Sequence, residues 1–260
     1  MRIVRYTTGD DPSYGVLQGD PGSEWIAGVS GDPLYTPVSG TGARVELGEV
    51  RLLAPVIPRS KIIGIGRNYA AHAAELGNEV PEKPLMFLVP NTAVVGPDDP
   101  VIIPPFTQHC SYEGELAVVI GRMCKDVPVD RAGDVIFGYT CANDVTARDL
   151  QGPDKQWARA KGFDTSCPLG PWIETELDTS DLRVVTRLDG EVVQDGSTRQ
   201  MIHDIPSLIA YASAAFTLLP GDVILTGTPE GVGRVDHGQR VEVEIEGIGT
   251  LANPFLRRER

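Results

Sequence analysis

Cysteine is scarce in this 260-residue chain: Cys110, Cys124, Cys141 and Cys167 stand fourteen or more residues apart. That spacing offers no C-x-x-C knuckle for zinc, and four thiols are too few to staple a chain of this length. The fold has to rest on its own core. A hydrophobic fraction of 41% suffices, since a chain this long buries roughly three quarters of its unfolded surface. Positive charge is also short, with 23 Lys and Arg against 36 Asp and Glu and a net charge of −13. A field of that sign repels nucleic-acid phosphates and anionic lipid, so neither is expected as a partner. A small anionic substrate stays open, because a bound cation reverses the sign locally. No run approaches the roughly 18 apolar residues of a membrane span. The opening stretch MRIVRYTTGDD lacks the apolar core of a secretory signal. Neither an internal repeat nor a low-complexity tract interrupts the chain. A soluble, cytoplasmic protein is expected.

What the chain does hold is a succession of short β-branched runs separated by Gly/Pro turns. Residues 1–56 carry small pieces such as IVRY and WIAGV, broken by GDDPSYG and VSGDP. These read as a small N-terminal β appendage, joined through a linker-like LLAPVIPRS to a larger domain over 57–260. Beyond Lys61 come KIIGIG, PLMFLV, GELAVVIG, DVIFGYTCAND, LRVVTRLDGEVV, GDVILTG and QRVEVEIEGIGTLAN. Asp189–Gly190 within LDGEV is a hairpin signal. Helical periodicity is best over about 204–218, with Asp204 as N-cap, Pro206 in the first turn and Pro220–Gly221 as the stop. The class predicted is β-rich α+β.

Several motifs fail on context. Gly64-x-Gly66 follows a strand, but Tyr69 occupies the third glycine position and no βαβ unit follows, which excludes a dinucleotide fingerprint. TGTPEGVG lacks the Gly-Lys-Ser/Thr of a phosphate loop, and no G-x-S-x-G elbow is present. Carboxylates give a stronger signal. In SYEGELAVVIG, Glu113 and Glu115 lie two apart before an apolar run, so strand alternation places both on one face. Two such carboxylates repel unless a cation or a shared proton stands between them. A solvated strand face would carry the same pattern. A third acid, Asp144, ends the apolar strand of GYTCAND, and three oxygen ligands without His or Cys suit Mg²⁺ or Mn²⁺.

A second cluster lies in GRNYAAHAAELG, where His72 and Glu75 are three apart in an Ala-rich helical stretch and face the same side. A carboxylate beside an imidazole makes a water-activating base, though an ordinary surface pair reads identically. Glycines 64, 66 and 77 bracket this segment in the manner of a flap over about 67–82. A third cluster, ARDLQ followed by RAKGFDTSCPLGPW, offers Arg148, Gln151 and Lys161 to a carboxylate or a developing enolate.

Taken in order, IIGIGRNYAAHAAELG, KPLMFLVPNTAVVGP, SYEGELAVVIG, GYTCANDVTARDLQ, KGFDTSCPLGPW and GDVILTGTPEGVG resemble the fumarylacetoacetate hydrolase family over about 61–253. Within it, the acylpyruvases and 2-hydroxyhepta-2,4-diene-1,7-dioate isomerases of bacteria are the most similar. The resemblance implies a mixed β-roll and a Mg²⁺ or Mn²⁺ ion held by Glu113, Glu115 and Asp144. It further implies a lid dyad of His72 and Glu75, a catalytic Lys161, and substrate contacts from Arg148, Gln151 and Thr228. Thr165, four residues after the lysine, matches a position near the metal, and a homodimer is implied. Residues 1–56 resemble the N-terminal segment of members that act on catabolic diacids in aromatic catabolism.

Such a site acts on a 2-oxo acid through an enolate stabilised by the cation. Attack of activated water on a C4 ketone hydrolyses an acylpyruvate such as fumarylpyruvate, the activity placed first. Loss of CO₂ from oxaloacetate, or proton movement in a dienedioate, would use the same residues. A metal-binding structural protein and a ligand-binding β module are the non-enzymatic alternatives, and an intact triad and dyad weigh against both.

Overall fold

The computed structural model describes residues 1–257 apart from 10, 76 and 78. The chain is β-rich α+β, and among the described residues its strands form sheets of twelve, five and three. Along the large sheet lie Gly40–Glu46, Trp25–Val29, Ser13–Gln18, Arg2–Thr7, Cys167–Glu174, Ile136–Asn143, Gly114–Ile120, Val223–Leu225, Ile62–Gly66 and Leu85–Val89, in that order. All neighbours on this path are antiparallel except Val223–Leu225 and Ile62–Gly66, which run parallel. The first four strands in sequence form an antiparallel meander. It joins the rest edge to edge, where Arg2 and Ile3 pair with Glu174 and Ile173. Part of the expected linker is itself structured: Arg51–Leu53 pairs with Arg2–Thr7, and Val56 is buried. Apolar Leu52, Leu53 and Val56 have core to reach, and that outweighs Pro55 between them.

The central strand Gly114–Ile120 is buried along its whole length. Leu116, Val118 and Ile120 face a core shared with the five-stranded sheet and the helix Ile205–Ala215. Ala117 and Val119 face a second core with Ala142, Leu169 and Leu225. Strand alternation therefore assigns the two faces residue by residue.

The hairpin forms as its sequence predicts, with Leu188 opposite Glu191 and both Asp189 (φ +52°) and Gly190 (φ +86°) left-handed. The long helix starts as expected, with the Asp204 carboxylate accepting from Ser207 N–H at 2.9 Å. It ends at Ala215, three residues early. Leu218 instead exchanges two backbone hydrogen bonds with Cys124, at 2.9 and 3.0 Å, and that pairing draws the chain out of the helix. Cys167–Glu174 is a strand that Pro168 and Pro171 conceal in the sequence. The register against Ile136–Asn143 shifts between Tyr139 and Cys141, opposite Pro171.

Gly114 separates the two glutamates because the sheets meet there. A Cβ at this position would lie 2.1 Å from Thr186 Oγ1 and 3.2 Å from a Val243 methyl. Gly114→Ala should therefore lose about 1–3 kcal/mol of stability through overpacking. Urea denaturation checks this; an unchanged midpoint would show that the sheets can part there at no cost.

Candidate active site

The acids meet because two adjacent strands end together. Glu115 pairs with Ala142 and shares the face of Ala117. At the strand ends, Glu113 N–H donates to Asn143 Oδ1 at 2.9 Å and Asp144 N–H donates to the Glu113 carbonyl at 2.9 Å. One oxygen from each of Glu113, Glu115 and Asp144 lies within 4.8 Å of the others, and all three residues are buried. Two unit charges at that separation repel by roughly 3.5 kcal/mol at an effective dielectric near 20. The cluster must be neutralised.

Two cations do part of this. Lys161, on the short helix Ala158–Lys161, donates to Glu113 Oε2 and to Asp144 Oδ2, both at 2.7 Å. Arg148, at the start of the helix Arg148–Gln151, bonds the other Glu113 oxygen and donates to Gln151 Oε1 at 2.8 Å. Burial alone would raise the Glu113 carboxyl, but Lys161 and then Arg148 outweigh it and hold it at about 2. Burial would lower the Lys161 ammonium, yet Asp144 and Glu113 raise it above its ordinary value. Glu115 is less well served. Its Oε2 accepts Gly227 N–H at 2.7 Å, while burial and then the Asp144 and Glu113 charges push it well above the usual carboxylate range. Burial likewise lifts Asp144, to about 6, against the pull of Lys161.

Asp144 Oδ1 is buried and has no hydrogen-bond partner among the described residues. An orphaned anionic oxygen beside two further carboxylates, all hard donors, fits a divalent cation. The three acids could hold one, with water or substrate filling the remaining positions.

A cavity of about 270 Å³ opens over this cluster. Seven of the residues singled out from the sequence line it: His72, Glu113, Glu115, Arg148, Gln151, Lys161 and Thr228. The Thr228 hydroxyl donates to the Gly114 carbonyl at 2.9 Å and accepts from Gln194 Nε2 at 2.8 Å. Glu75 has turned partly away. Its carboxylate accepts Gly231 N–H at 3.1 Å and stands 3.5 Å from His72 Nδ1, which has no hydrogen bond among the described residues. Burial lowers the His72 pKa, so the imidazole is neutral at pH 7. The helix Ala70–Glu75 carries both residues; of the expected flap, residues 76 and 78 lie outside the described ones. Thr165 is not brought to this cavity. Its hydroxyl accepts Ile102 N–H at 2.8 Å, and it borders a separate surface pocket with Phe106 and Phe163.

Sequence reasoning missed Arg67, Trp157 and Gln194. Arg67 sits in the same G-R-N-Y run as the dyad, and Trp157 lies one helical turn before Lys161, so both had a local signal. Gln194, whose Oε1 accepts Gly114 N–H at 3.0 Å, arrives from a distant strand and had none.

A family model described as the C-terminal domain of fumarylacetoacetate hydrolase matches residues 61–256. The chain belongs to the fumarylacetoacetate hydrolase family. A second model, described as Rv2993c-like, N-terminal, matches residues 1–55. The solved structure of a 5-carboxymethyl-2-hydroxymuconate delta-isomerase from Mycobacterium smegmatis is 49% identical, with a TM-score of 0.93 over 99% of this chain and 100% of that one. A fumarylpyruvate hydrolase from Pseudomonas aeruginosa, in complex with Mn²⁺ and pyruvate, is 33% identical at a TM-score of 0.74, over 80% of this chain and 92% of that one. The mitochondrial oxaloacetate tautomerase FAHD2A of Homo sapiens is 43% identical over 80% of this chain and 70% of its own. Members of the fumarylacetoacetate hydrolase family are thus hydrolases, isomerases and tautomerases, and the fold alone does not separate them.

Because Glu115 and Asp144 titrate high, a divalent cation must displace protons to bind at acid pH. Calorimetric Mg²⁺ affinity should weaken by at least about tenfold per pH unit below 6, where a proton is displaced at Asp144, and more steeply where Glu115 gives one up as well. Affinity independent of pH between 4.5 and 7 would contradict these ligands.

Proposed function

We propose that this chain is a Mg²⁺- or Mn²⁺-dependent enzyme of small anionic 2-oxo acids, and that it hydrolyses the C–C bond of an acylpyruvate such as fumarylpyruvate. The observation that carries this reading is a buried, neutral imidazole in the same cavity as Glu113 and Glu115 of the acid cluster. When bound, the cation supplies Lewis-acid polarisation of the 2-oxo group. Arg148 and Gln151, already bonded to each other, present donors to the substrate carboxylate. His72 takes a proton from the attacking water, and Glu75, 3.5 Å from Nδ1, steadies the imidazolium once the 67–82 segment closes over substrate. Lys161 offsets negative charge beside Glu113 and Asp144. The Mn²⁺ and pyruvate of the fumarylpyruvate hydrolase support this chemistry.

A second reading follows from relatives at higher identity, an isomerase and an oxaloacetate tautomerase. In it, the same groups shift a proton at C3, or release CO₂ from oxaloacetate, and no water attacks carbon. Cytoplasmic placement, a role in aromatic catabolism and a homodimer belong to the same proposal. Light scattering should give twice 28.0 kDa, and a monomer mass would remove the dimer.

His72→Ala should lower acylpyruvate hydrolysis by about 10²–10⁴-fold, the usual contribution of a general base. Oxaloacetate turnover should fall less, and Asp144→Ala should damage both alike. At saturating Mg²⁺ the acid limb of wild-type kcat/KM should lie below pH 6.5, because burial lowers the pH at which His72 protonates. Equal loss of both activities in His72→Ala would assign the dyad to a shared step and favour the second reading.

A further inference from the structure

We propose that Arg67 is a second carboxylate receptor, the residue through which this cavity prefers 2-oxo diacids to 2-oxo monoacids; the inference rests on the 2-oxo acid reading and assigns the distal carboxylate its partner. Arg67 lines the cavity. Unlike Arg148 and Lys161, each of which already bonds an acid, it has no ion pair or hydrogen bond among the described residues. A free guanidinium beside a pocket is informative in a chain with 36 acidic residues and only 23 basic ones, because a partner was available elsewhere.

Among the described residues, Arg148 and Lys161 already bond Glu113 and Asp144, which leaves Arg67 as the cavity-lining guanidinium without a carboxylate partner. A guanidinium matches a carboxylate with two parallel hydrogen bonds, so it is the group suited to the distal end.

The backbone shows that Arg67 is held in place. It sits at φ +57°, a conformation that a long side chain adopts at a cost. Neighbours on both sides impose it. Gly66 ends the strand Ile62–Gly66 so close to Trp157 that a Cβ would meet the indole at 2.8 Å. Asn68 is tied down by donating to Thr226 O at 2.8 Å and His203 O at 3.0 Å, and by accepting His203 N–H at 2.9 Å. Strain maintained at a cavity wall, behind an unpaired charge, is what preorganisation for a ligand requires.

Calorimetry on the Mg²⁺-loaded full chain tests this without turnover. The probes are pyruvate as monoacid, and 2-oxoglutarate and 2-oxoadipate as diacids. In the wild type the better diacid should bind at least about tenfold more tightly than pyruvate. Arg67→Met should weaken that diacid by about 10–100-fold while pyruvate affinity changes less than about twofold, and Arg67→Lys should recover part of the loss. The pyruvate value reports that the variant is folded. No loss of diacid affinity, or an equal loss for monoacid and diacid, would overturn the inference. A wild type that selects diacids through Arg67 but turns over no 2-oxo acid would refute the proposed reaction and leave this receptor standing. Acylpyruvate hydrolysis without diacid selection would do the reverse.

Discussion

Asp144 N–H donating to the Glu113 carbonyl closes the last rung between Gly114–Ile120 and Ile136–Asn143, and the register it continues decides where every acid points. With Glu115 opposite Ala142, the odd-numbered Glu115, Ala117 and Val119 of one strand share a face with the even-numbered Ala142 of the other. A slip of one residue would turn Leu116 toward the acids' side and bury Glu115 among Val184, Val241 and Val243. Such a slip is prevented by two apolar cores of complementary parity, one on each face of the strand. The acid cluster is therefore specified by hydrophobic packing.

That packing brings an electrostatic difficulty with it. Three buried carboxylates are tolerated only because Lys161 and Arg148 reach the same spot from two short helices that follow the second strand. Both cations favour Glu113 and leave Glu115 and one Asp144 oxygen underserved. The unmet demand for positive charge is thus directional. It faces the cavity, where a divalent ion and the substrate's chelating oxygens would converge. Burial acts on His72 with the opposite sense, keeping it uncharged. One low-dielectric pocket so prepares an acid cluster for a metal and an imidazole for a proton.

The parts legible in the sequence are those governed by short-range periodicity. Glu113 and Glu115 could be placed on one face, Asp144 at a strand end, His72 beside Glu75 and a turn at Asp189–Gly190, all from spacings of one to three residues. The helix beginning at Asp204 was legible for the same reason. Its end was not, because Cys124, about ninety positions away in the chain, competes for the backbone of Leu218. Cys167–Glu174 was hidden by prolines that a bulge accommodates, and the bond from Ile102 N–H to the Thr165 hydroxyl joins residues too far apart for spacing to reveal. Gln194 depends on which strands meet, and so only the folded chain displays it.

That the acids form a cation site is the claim on which the rest depends, and an anomalous difference map from a crystal soaked in Mn²⁺ tests it most directly. A single strong peak is expected within coordination distance of Glu113, Glu115 and Asp144, with the Lys161 ammonium still beside Glu113. The absence of a peak there in an Mn²⁺-soaked crystal, or a peak held by other residues, would contradict it.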